Sequence, residues 1–573
     1  MIRRYFFAAL LMVLAIWMLR PDIPVAVAQG DGQSSSHPEL SGFLTDNRGQ
    51  AVSEAEVQVF VNDSEDAVAH TTSNEDGSWV IDLPGVIPET IHIEVDRHHY
   101  QTFNYQLSAA EVEQLQADGA FAFNTIVLEN QITPGFWVAG IAFALTLLLI
   151  ALERLQNALA ALLGISIVFA ATFILGAFDS SFYVFNMERA LTYINWEVIF
   201  LVMGMMIVVG ILEGTGIFQW LAFQAYRISR GRISLLIVVL IIITSIASAL
   251  LDNVTTMLLM APISLQIALA LGIDPLALLI PEILASNISG ISTLIGTPTN
   301  ILIGAYAGIG FNDFLINQTL GVLLASGLMV VTVLFFFRDE LKKTSGGISE
   351  ALYNKLKENA EIKDSRTLKW SGVVFAGMLF FFVIGERLHM VPAVTALIGA
   401  TVLLLLVEPD IEKMLRVVDW TTLVFFMALF MLVGAVQEVG MLGVFAEVMG
   451  GLIGENLALG IIVLVFGAGF LSFVIANIPL TAAMLPVVRF VSAGIPGAAE
   501  SHVLYYALSM GAAMGGNGFI ISGETNLMTS GIAERAGYPI SFARYLKIGV
   551  PVTLLTLAAG TIWLFLRFIL LGG

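Results

Sequence analysis

Hydrophobic residues follow two different periods along the chain. Between about residues 39 and 130 they alternate with polar residues, as at Val57, Val59 and Val61 and again over 91–95. Polar and glycine-rich clusters that form turns separate these runs, at 46–49, 63–66 and 75–77. A period of two between such turns is typical of short strands in a sandwich. The pattern therefore predicts a β-sandwich over residues 36–130.

From Pro134 onward the chain is almost wholly apolar. Long apolar stretches lie near 134–152, 156–178, 195–214, 234–271, 277–305 and 315–337, and then near 370–388, 391–407, 421–440, 457–493, 501–528 and 547–570. Stretches of this length are typical of membrane-spanning helices. They predict an all-α polytopic membrane protein with one membrane repeat over 134–337, a linker over 338–369 and a second repeat over 370–573.

The two sets of six stretches share residues at a constant offset, which indicates an internal repeat. An offset of 224 places the following residues on one another: Trp196 on Trp420, Gly210 on Gly434, Gly216 on Gly440, Asn253 on Asn477, and Pro262 on Pro486. An offset of 226 places Thr299-Asn300 on Thr525-Asn526.

Two of the stretches, 234–271 and 457–493, are too long for one span, because 38 helical residues would extend ~57 Å against a hydrocarbon core of ~30 Å. We expect each to fold back as a re-entrant hairpin at its polar centre. The basic residues at 227–232 and in the 338–369 linker then lie in the cytoplasm. The predicted fold is two inverted repeats, each of five spans and one re-entrant helical hairpin.

The first residues have the order of a secretory signal peptide. Arg3 and Arg4 precede an apolar run over 5–19, and Ala26-Val27-Ala28 follows shortly before a polar stretch. We expect cleavage after residue 28; the alternative is a retained signal anchor, because Arg20-Pro21 interrupts the run. Either interpretation places the sandwich outside the cytoplasm and the protein in the plasma (inner) membrane.

The composition excludes several classes of function. The chain is 57% hydrophobic and 12% charged, with no cysteine, which excludes disulfides, thiolate metal sites and thiol catalysis. Its net charge of −19 argues against a nucleic-acid partner, and most of that charge lies in the sandwich segment. No phosphate-binding loop is present. We therefore expect neither an enzyme nor a bound cofactor.

Four polar segments interrupt the apolar stretches, at 251–256, 286–300, 477–479 and 515–526. Irregular polar backbone at membrane depth is tolerated where it lines a cavity or packs inside protein, and broken helices there hold ions. The alternative is that the small residues only allow close helix packing. The candidate ion- or substrate-binding residues are Asp252, Asn253, Thr255, Thr256, Ser286, Asn287, Ser289, Thr293, Thr297, Asn300, Asn477, Asn517, Ser522, Glu524, Thr525 and Asn526.

Acidic residues within the apolar stretches are the most telling single positions. A carboxylate at mid-bilayer costs ~2.5–3.5 kcal/mol, so Asp252 is a candidate for carrying the coupling proton or cation. The alternative is a helix cap through the N–H of Thr255 or Thr256. Glu213 and Glu282 are open to either a structural or a functional interpretation.

These motifs resemble the ion transporter superfamily. The matching segments are LDNVTT at 251–256, SNISGISTLIGTPTN at 286–300 and GGNG through GIAERAGYP at 515–539. They are most similar to the branch that holds the arsenite permease ArsB, the P protein and the NhaD-type Na⁺/H⁺ antiporters, which share a citrate-transporter-like domain. The resemblance implies inverted repeats, a homodimer and elevator movement of the hairpin bundle. The paired Ser-Asn-Thr signatures of the dicarboxylate branch are not reproduced. The outer segment resembles carboxypeptidase-regulatory or transthyretin-like sandwiches, which implies a spacer or a module that binds a partner outside the cytoplasm.

The expected function is secondary transport of a small inorganic ion or oxyanion, coupled to Na⁺ or H⁺ by an elevator mechanism in the lipid bilayer. Na⁺ is expected at Asn287, Asn300, Asn517 and Asn526. A Na⁺/H⁺ antiporter is the main alternative. A di- or tricarboxylate transporter and a ligand-sensing membrane receptor are less favoured.

Overall fold

A computed structural model describes residues 38–572, apart from gaps at 47–48, 50, 63, 65, 85–87, 89, 153, 231, 342–352, 354–356 and 359. The predicted signal peptide at 1–28 lies outside the described residues. The chain divides into two compact units, with the boundary after Glu129.

The first unit contains eight strands in two sheets. Their bounds are β1 Glu39–Asp46, β2 Glu56–Val61, β3 Ala69–Thr72, β4 Ser78–Asp82, β5 Ile91–Asp96, β6 Phe103–Gln106, β7 Ala120–Ala122 and β8 Ile126–Leu128. One sheet has the order β4-β1-β7, with β8 also pairing with β1, and the other has the order β3-β2-β5-β6. Alternate residues of both sheets, among them Leu40, Val57, Trp79 and Ile93, are fully or almost fully buried. The predicted β-sandwich is therefore present.

Two features of this unit were not predicted from the sequence. Strands β7 and β8 pair with β1 in parallel, and a helix, α1 (Ala109–Asp118), connects β6 to β7. Ser108 and Glu111 form a capping box at the start of α1. The Ser108 N–H donates to the Glu111 carboxylate at 2.7 Å, and this bond holds the pKa of Glu111 below its usual range.

The second unit is helical. Its helices are α2 Pro134–Ala151, α3 Asn157–Ala170, α4 Met187–Thr192, α5 Trp196–Gly214, α6 Ile217–Ser229, α7 Ile233–Leu250, α8 Asn253–Leu271, α9 Leu276–Ser289, α10 Pro298–Ala307, α11 Phe311–Phe336, α12 Arg338–Leu341, α13 Ser365–Ile384, α14 Pro392–Val407, α15 Ile411–Val417, α16 Trp420–Glu438, α17 Met441–Ile453, α18 Leu457–Leu471, α19 Asn477–Gly494, α20 Ala498–Ser501, α21 Val503–Gly515, α22 Glu524–Arg535 and α23 Phe542–Leu564. Helix α13 begins inside the predicted 338–369 linker.

Ten helices of the described residues are long and apolar enough to cross a membrane. They do not coincide with the ten predicted spans. The stretches 277–305 and 501–528 each form two helices, α9 with α10 and α21 with α22, because a short irregular segment interrupts each. The stretch 234–271 is also two helices, and each of them, α7 and α8, is itself long enough to span.

The helices of the two halves follow the same order. Helices α5 and α16 each have 19 residues, and α6 and α17 each have 13. A glycine in the left-handed region precedes each of the latter pair, at Gly216 and Gly440. Helices α8 and α19 each contain an internal proline, Pro262 and Pro486. The repeat found in the sequence therefore corresponds to matching helices.

Within this unit the helices pack as two sets. Helices α2, α3, α5, α13, α14 and α16 contact one another and form the set that we call the frame. The other set, the bundle, contains α7 to α11, α18, α19 and α21 to α23, and it holds all four polar segments.

Candidate functional site

Four asparagine side chains meet at the centre of the bundle. The Asn253 amide donates to Asn287 Oδ1 at 2.9 Å. The Asn287 amide donates in turn to Asn517 Oδ1 at 2.8 Å and to Asn526 Oδ1 at 2.9 Å. All four side chains are buried. Because Asn253 and Asn287 belong to the first half and Asn517 and Asn526 to the second, this cluster joins the two halves; we call it the amide cluster.

One asparagine side chain stabilises each irregular segment between helices by binding its backbone carbonyl groups. Asn526 donates to the carbonyl oxygens of Gly516 (2.7 Å) and Phe519 (3.0 Å). Asn300, at the corresponding position of the first half, donates to the carbonyls of Ile291 and Thr293, each at 2.8 Å. Each side chain thus replaces hydrogen bonds that a continuous helix would have made.

Four helix N-termini line one small cavity beside the amide cluster. The lining residues come from the first turns of α8, α10, α19 and α22, together with Asn287 and Gly516, and include Asn253, Val254, Pro298, Asn477, Ile478, Gly523, Glu524 and Thr525. Its volume is about 10 Å³, which is the space of about one water molecule. Each helix N-terminus carries the equivalent of about +0.5 charge, so the cavity favours an anionic group.

Two carboxylates belong to this region: Glu524 lines the cavity, and Asp252 directly precedes the lining residue Asn253. Asp252 caps α8: its Oδ1 accepts from the Thr255 N–H at 2.9 Å, and its Oδ2 accepts from the Thr255 hydroxyl. Glu524 accepts from the side-chain amide of Asn157, on the frame helix α3, at 3.0 Å. The second half lacks this cap, because Ala476 occupies the equivalent place before α19 and provides no side-chain hydrogen bond.

Asn300 is not part of the amide cluster. Its Oδ1 accepts from the Ser509 hydroxyl at 2.6 Å, and Ser509 also contacts Gln318 of α11 at 3.2 Å. This second buried network again joins the two halves. Ser509 and Gln318 were not predicted from the sequence as site residues; their position inside the apolar helices α21 and α11 is the signal that could have identified them.

The remaining predicted residues bind backbone groups or have no partner. Thr256 and Thr297 are buried, and their hydroxyls have no hydrogen-bond partner among the described residues. Asn477 and Thr525 line the cavity. The others contact main-chain atoms: Ser286 binds Asn253 O, the Ser289 carbonyl accepts from Ser292, Thr293 binds Ala249 O and the N–H of Gly296, and Ser522 binds Gly516 O and Phe519 O.

One hydrogen bond is repeated in both halves and fixes their correspondence. The Ser248 hydroxyl donates to the carbonyl of Ser286 at 2.9 Å, and the Ser472 hydroxyl donates to the carbonyl of Ala512 at 2.7 Å. These pairs have the offsets of 224 and 226 that the sequence shows. The two offsets therefore apply on α7 with α18 and on α9 with α21.

Comparisons with known proteins agree with a transport role. An uncharacterized transporter of Mycobacterium tuberculosis is 35% identical over 76% of this chain and 99% of its own length. The P protein of Mus musculus is 29% identical over 85% of this chain and 67% of its own length. The solved YdaH transporter of Alcanivorax borkumensis shares the fold, with a TM-score of 0.52 at 14% identity over 72% of this chain and 99% of that one.

The described helices and these relatives establish a multi-pass membrane transporter and not an enzyme. The family model described as citrate transporter, CitMHS, matches residues 147–511. The chain belongs to the CitMHS citrate transporter family.

Proposed function

We propose that this protein is a secondary active transporter of a small inorganic anion or oxyanion, coupled to Na⁺ or H⁺. The observation that carries the proposal is the convergence of four helix N-termini, from α8, α10, α19 and α22, on one cavity. Such N-termini favour negative charge. The amide cluster supplies oxygen atoms for a cation next to this cavity, so an anion and its coupling ion are bound side by side.

The transport movement that we propose is of the elevator type. The bundle moves against the frame and carries the cavity with it. A larger cavity of about 430 Å³ supports this, since it lies between α10 of the bundle and α5 and α14 of the frame and is lined by Leu201, Ile301 and Ala393, among others. Alternation between two such states is typical of transporters with inverted repeats, and we propose that the matching halves are inverted, with α7–α8 and α18–α19 as re-entrant hairpins.

We also propose a membrane, an oligomeric state and an orientation for the protein. It lies in the plasma membrane as a homodimer with the sandwich outside the cytoplasm, where the acidic sandwich meets a partner or serves as a spacer. The net charge of the segment 29–133 supports an outer position, because its only basic residues are Arg48 and Arg97 and basic residues concentrate on the cytoplasmic side.

A Na⁺/H⁺ antiporter is the second candidate. The observation that favours it is a pair of acidic residues: Glu524 lines the cavity, and Asp252 caps the helix whose first residue, Asn253, lines it. A cation carrier needs such groups, whereas an anion carrier uses them only for the coupling ion. Citrate, suggested by the family description, is less well supported, because the cavity of about 10 Å³ has the space of about one water molecule and citrate is much larger than a small inorganic anion.

Measurement of flux into proteoliposomes identifies which ion the protein transports. Arsenite, phosphate, citrate and Na⁺ are offered in turn, each with an inward Na⁺ gradient, a pH gradient or neither. We expect accumulation of a small anion that depends on one of the two gradients. Asn287→Ala is the matched inactive variant. Gradient-dependent Na⁺ flux with no anion flux would establish the antiporter instead, and accumulation of citrate would contradict the preference for a small anion.

A cross-link between the two helix sets tests the elevator movement. The chain has no cysteine, so Leu201→Cys with Ile301→Cys places a single pair of thiols across the cavity between frame and bundle. A bifunctional thiol reagent should stop flux in the double variant and leave each single variant active. Full flux in the cross-linked double variant would exclude a relative movement of these two sets.

A further inference from the structure

The bundle contains a fully buried carboxyl group away from the cavity. Glu282 lies on α9, with no solvent exposure. Its Oε1 accepts from the hydroxyls of Ser264 on α8 at 2.8 Å and of Thr244 on α7 at 3.4 Å. Its Oε2 has no hydrogen-bond partner among the described residues. One oxygen of the group is thus held by two donors and the other is left unsatisfied.

The second half shows that the fold does not require this polar trio. The offsets fixed by the Ser248 and Ser472 hydrogen bonds place Thr244, Ser264 and Glu282 on Ala468, Val488 and Leu508. These three apolar residues are buried. The equivalent helices of the second half therefore pack without polar side chains at these three positions. The trio of the first half serves a purpose other than packing.

The three helices that carry the trio supply no opposite charge to Glu282. Helices α7, α8 and α9, which carry the trio, contain no other acidic or basic residue. Within the described residues, Ser264 and Thr244 are the only side chains that donate hydrogen bonds to its carboxyl. The titratable residues on the other helices packed against α9 are Asp313 on α11, Tyr505 and Tyr506 on α21, and Glu524, Glu534 and Arg535 on α22.

A buried carboxylate without a counter-charge is strongly disfavoured, whereas the neutral acid is tolerated. A proton on Oε2 removes the charge that these surroundings do not balance and needs no space beyond the acid itself. We propose that Glu282 is a proton-binding site, in which Oε2 gains an O–H bond while Ser264 and Thr244 hold Oε1, and that this proton is the coupling ion of transport. The role of this proton as the coupling ion rests on the proposed function.

The position of Glu282 connects it to the amide cluster. Ser286 follows it by one helical turn, which places the two side chains on one face of α9, about 6 Å apart at Cβ. The Ser286 hydroxyl contacts the Ser248 hydroxyl at 3.0 Å and the carbonyl of Asn253 at 3.2 Å. Polar groups thus lead from Glu282 to Asn253. A change of charge at Glu282 acts on the site through this short route.

Infrared spectra of the full-length protein test the proton without any need for transport. The spectrum of the wild type minus that of Glu282→Gln should contain the carbonyl band of a protonated carboxylic acid. A carboxylate band in its place at every pH would overturn the proposal. Conversion of the acid band to a carboxylate band on addition of Na⁺, at constant pH, would also overturn it, because the site would then bind a cation.

A triple variant that copies the residues of the second half serves as a control for misfolding. Thr244→Ala, Ser264→Val and Glu282→Leu together reproduce Ala468, Val488 and Leu508, and this triple variant should fold with a thermal midpoint at or above that of the wild type. It should also lack the acid band. If the triple variant retains the band, another carboxyl group is its source and the assignment to Glu282 is wrong.

Flux then tests the coupling role separately. With a pH gradient, Glu282→Gln should lose gradient-driven accumulation to background, while exchange of internal for external substrate without a gradient continues. Unchanged proton-driven accumulation in this variant would overturn the coupling role. A wild type with no flux of any tested ion would instead refute the proposed function, and the infrared result would still decide whether Glu282 binds a proton.

Discussion

The two halves of the membrane unit share a backbone plan and differ in their buried polar side chains. Both use a serine, Ser248 or Ser472, to bind a carbonyl on the helix before the irregular segment. Both use an asparagine, Asn300 or Asn526, to hold that segment open. The shared residues are those that stabilise interrupted helices.

Three of the differing residues carry a carboxyl group or the central amide of the amide cluster. The first half has Asp252, Asn287 and Glu282 where the second has Ala476, Ala513 and Leu508. A fold that tolerates alanine or leucine at a position does not need a polar group there. The comparison therefore separates the polar groups that the helices require from those that binding and coupling require.

Asn287 should give the largest effect. Asn287→Ala copies Ala513, but it leaves one buried polar group without its partner on each of three amides: the NH₂ of Asn253 and the Oδ1 atoms of Asn517 and Asn526. An unsatisfied buried group costs about 1–3 kcal/mol, so we expect a loss of about 2 kcal/mol or more in unfolding free energy, together with loss of flux. Thermal unfolding in detergent and proteoliposome flux measure the two effects.

The matched control is Asn312→Ala, which removes an amide that donates to the Val383 carbonyl at 2.6 Å outside the site. Its flux should remain normal. Normal flux and stability in Asn287→Ala as well would show that the amide cluster serves neither binding nor the joining of the halves.

Asp252 should separate charge from capping. Asp252→Asn retains the cap on Thr255, because asparagine is as good an N-cap as aspartate, so stability should be unchanged while coupled flux collapses. Asp252→Ala copies Ala476 and should cost about 1 kcal/mol in addition. Flux and thermal midpoints are measured on the same preparations.

Asp364→Asn is the control, because Asp364 caps α13 with the same geometry, accepting from the N–H and hydroxyl of Thr367 at 3.0 and 2.6 Å, and is exposed. It should be silent in flux. If Asp252→Asn transports normally, its carboxylate is a helix cap only and the difference from Ala476 has no functional meaning.

Sequence alone predicted the positions of the interruptions well, because glycine, proline and asparagine within apolar stretches are local signals. The break at Asp252 and the segments before Asn300 and Asn526 all lie where the pattern indicated. The repeat was also visible, because Trp196 and Trp420 begin equivalent helices.

Contacts between distant segments were not predictable in the same way. The donation from Asn287 to Asn517 joins residues 230 positions apart, and no local pattern specifies it. The separate network of Asn300 with Ser509 was missed for the same reason. The parallel pairing of β7 with β1 depends on α1, whose apolar residues did not stand out from the strands around it.

Substitution of the shared serines should give small effects of similar size. Ser248→Ala and Ser472→Ala each remove one hydrogen bond to a backbone carbonyl, which is worth about 0.5–1.5 kcal/mol. The two variants should lower the thermal midpoint by similar amounts, with Ser248→Ala the larger because its hydroxyl also contacts Ser286. A cost confined to one variant would contradict the equivalence of the two positions and, with it, the alignment of Glu282 with Leu508.

Removal of the sandwich should have the smallest effect on flux. Both halves lie after Glu129, and every contact used in their comparison is internal to the second compact unit. A chain that begins near Gln131 behind a foreign signal sequence should therefore transport at the wild-type rate in high salt.

At low salt the 18 acidic residues between 29 and 133 concentrate cations near the membrane, since screening over ~10 Å sets in only near 0.1 M salt. A modest decrease in apparent cation affinity at low salt is then the expected sign of the missing domain. Loss of flux at both salt concentrations in a correctly inserted protein would mean that the difference between the two halves is not sufficient for transport and that the sandwich contributes to the transport cycle itself.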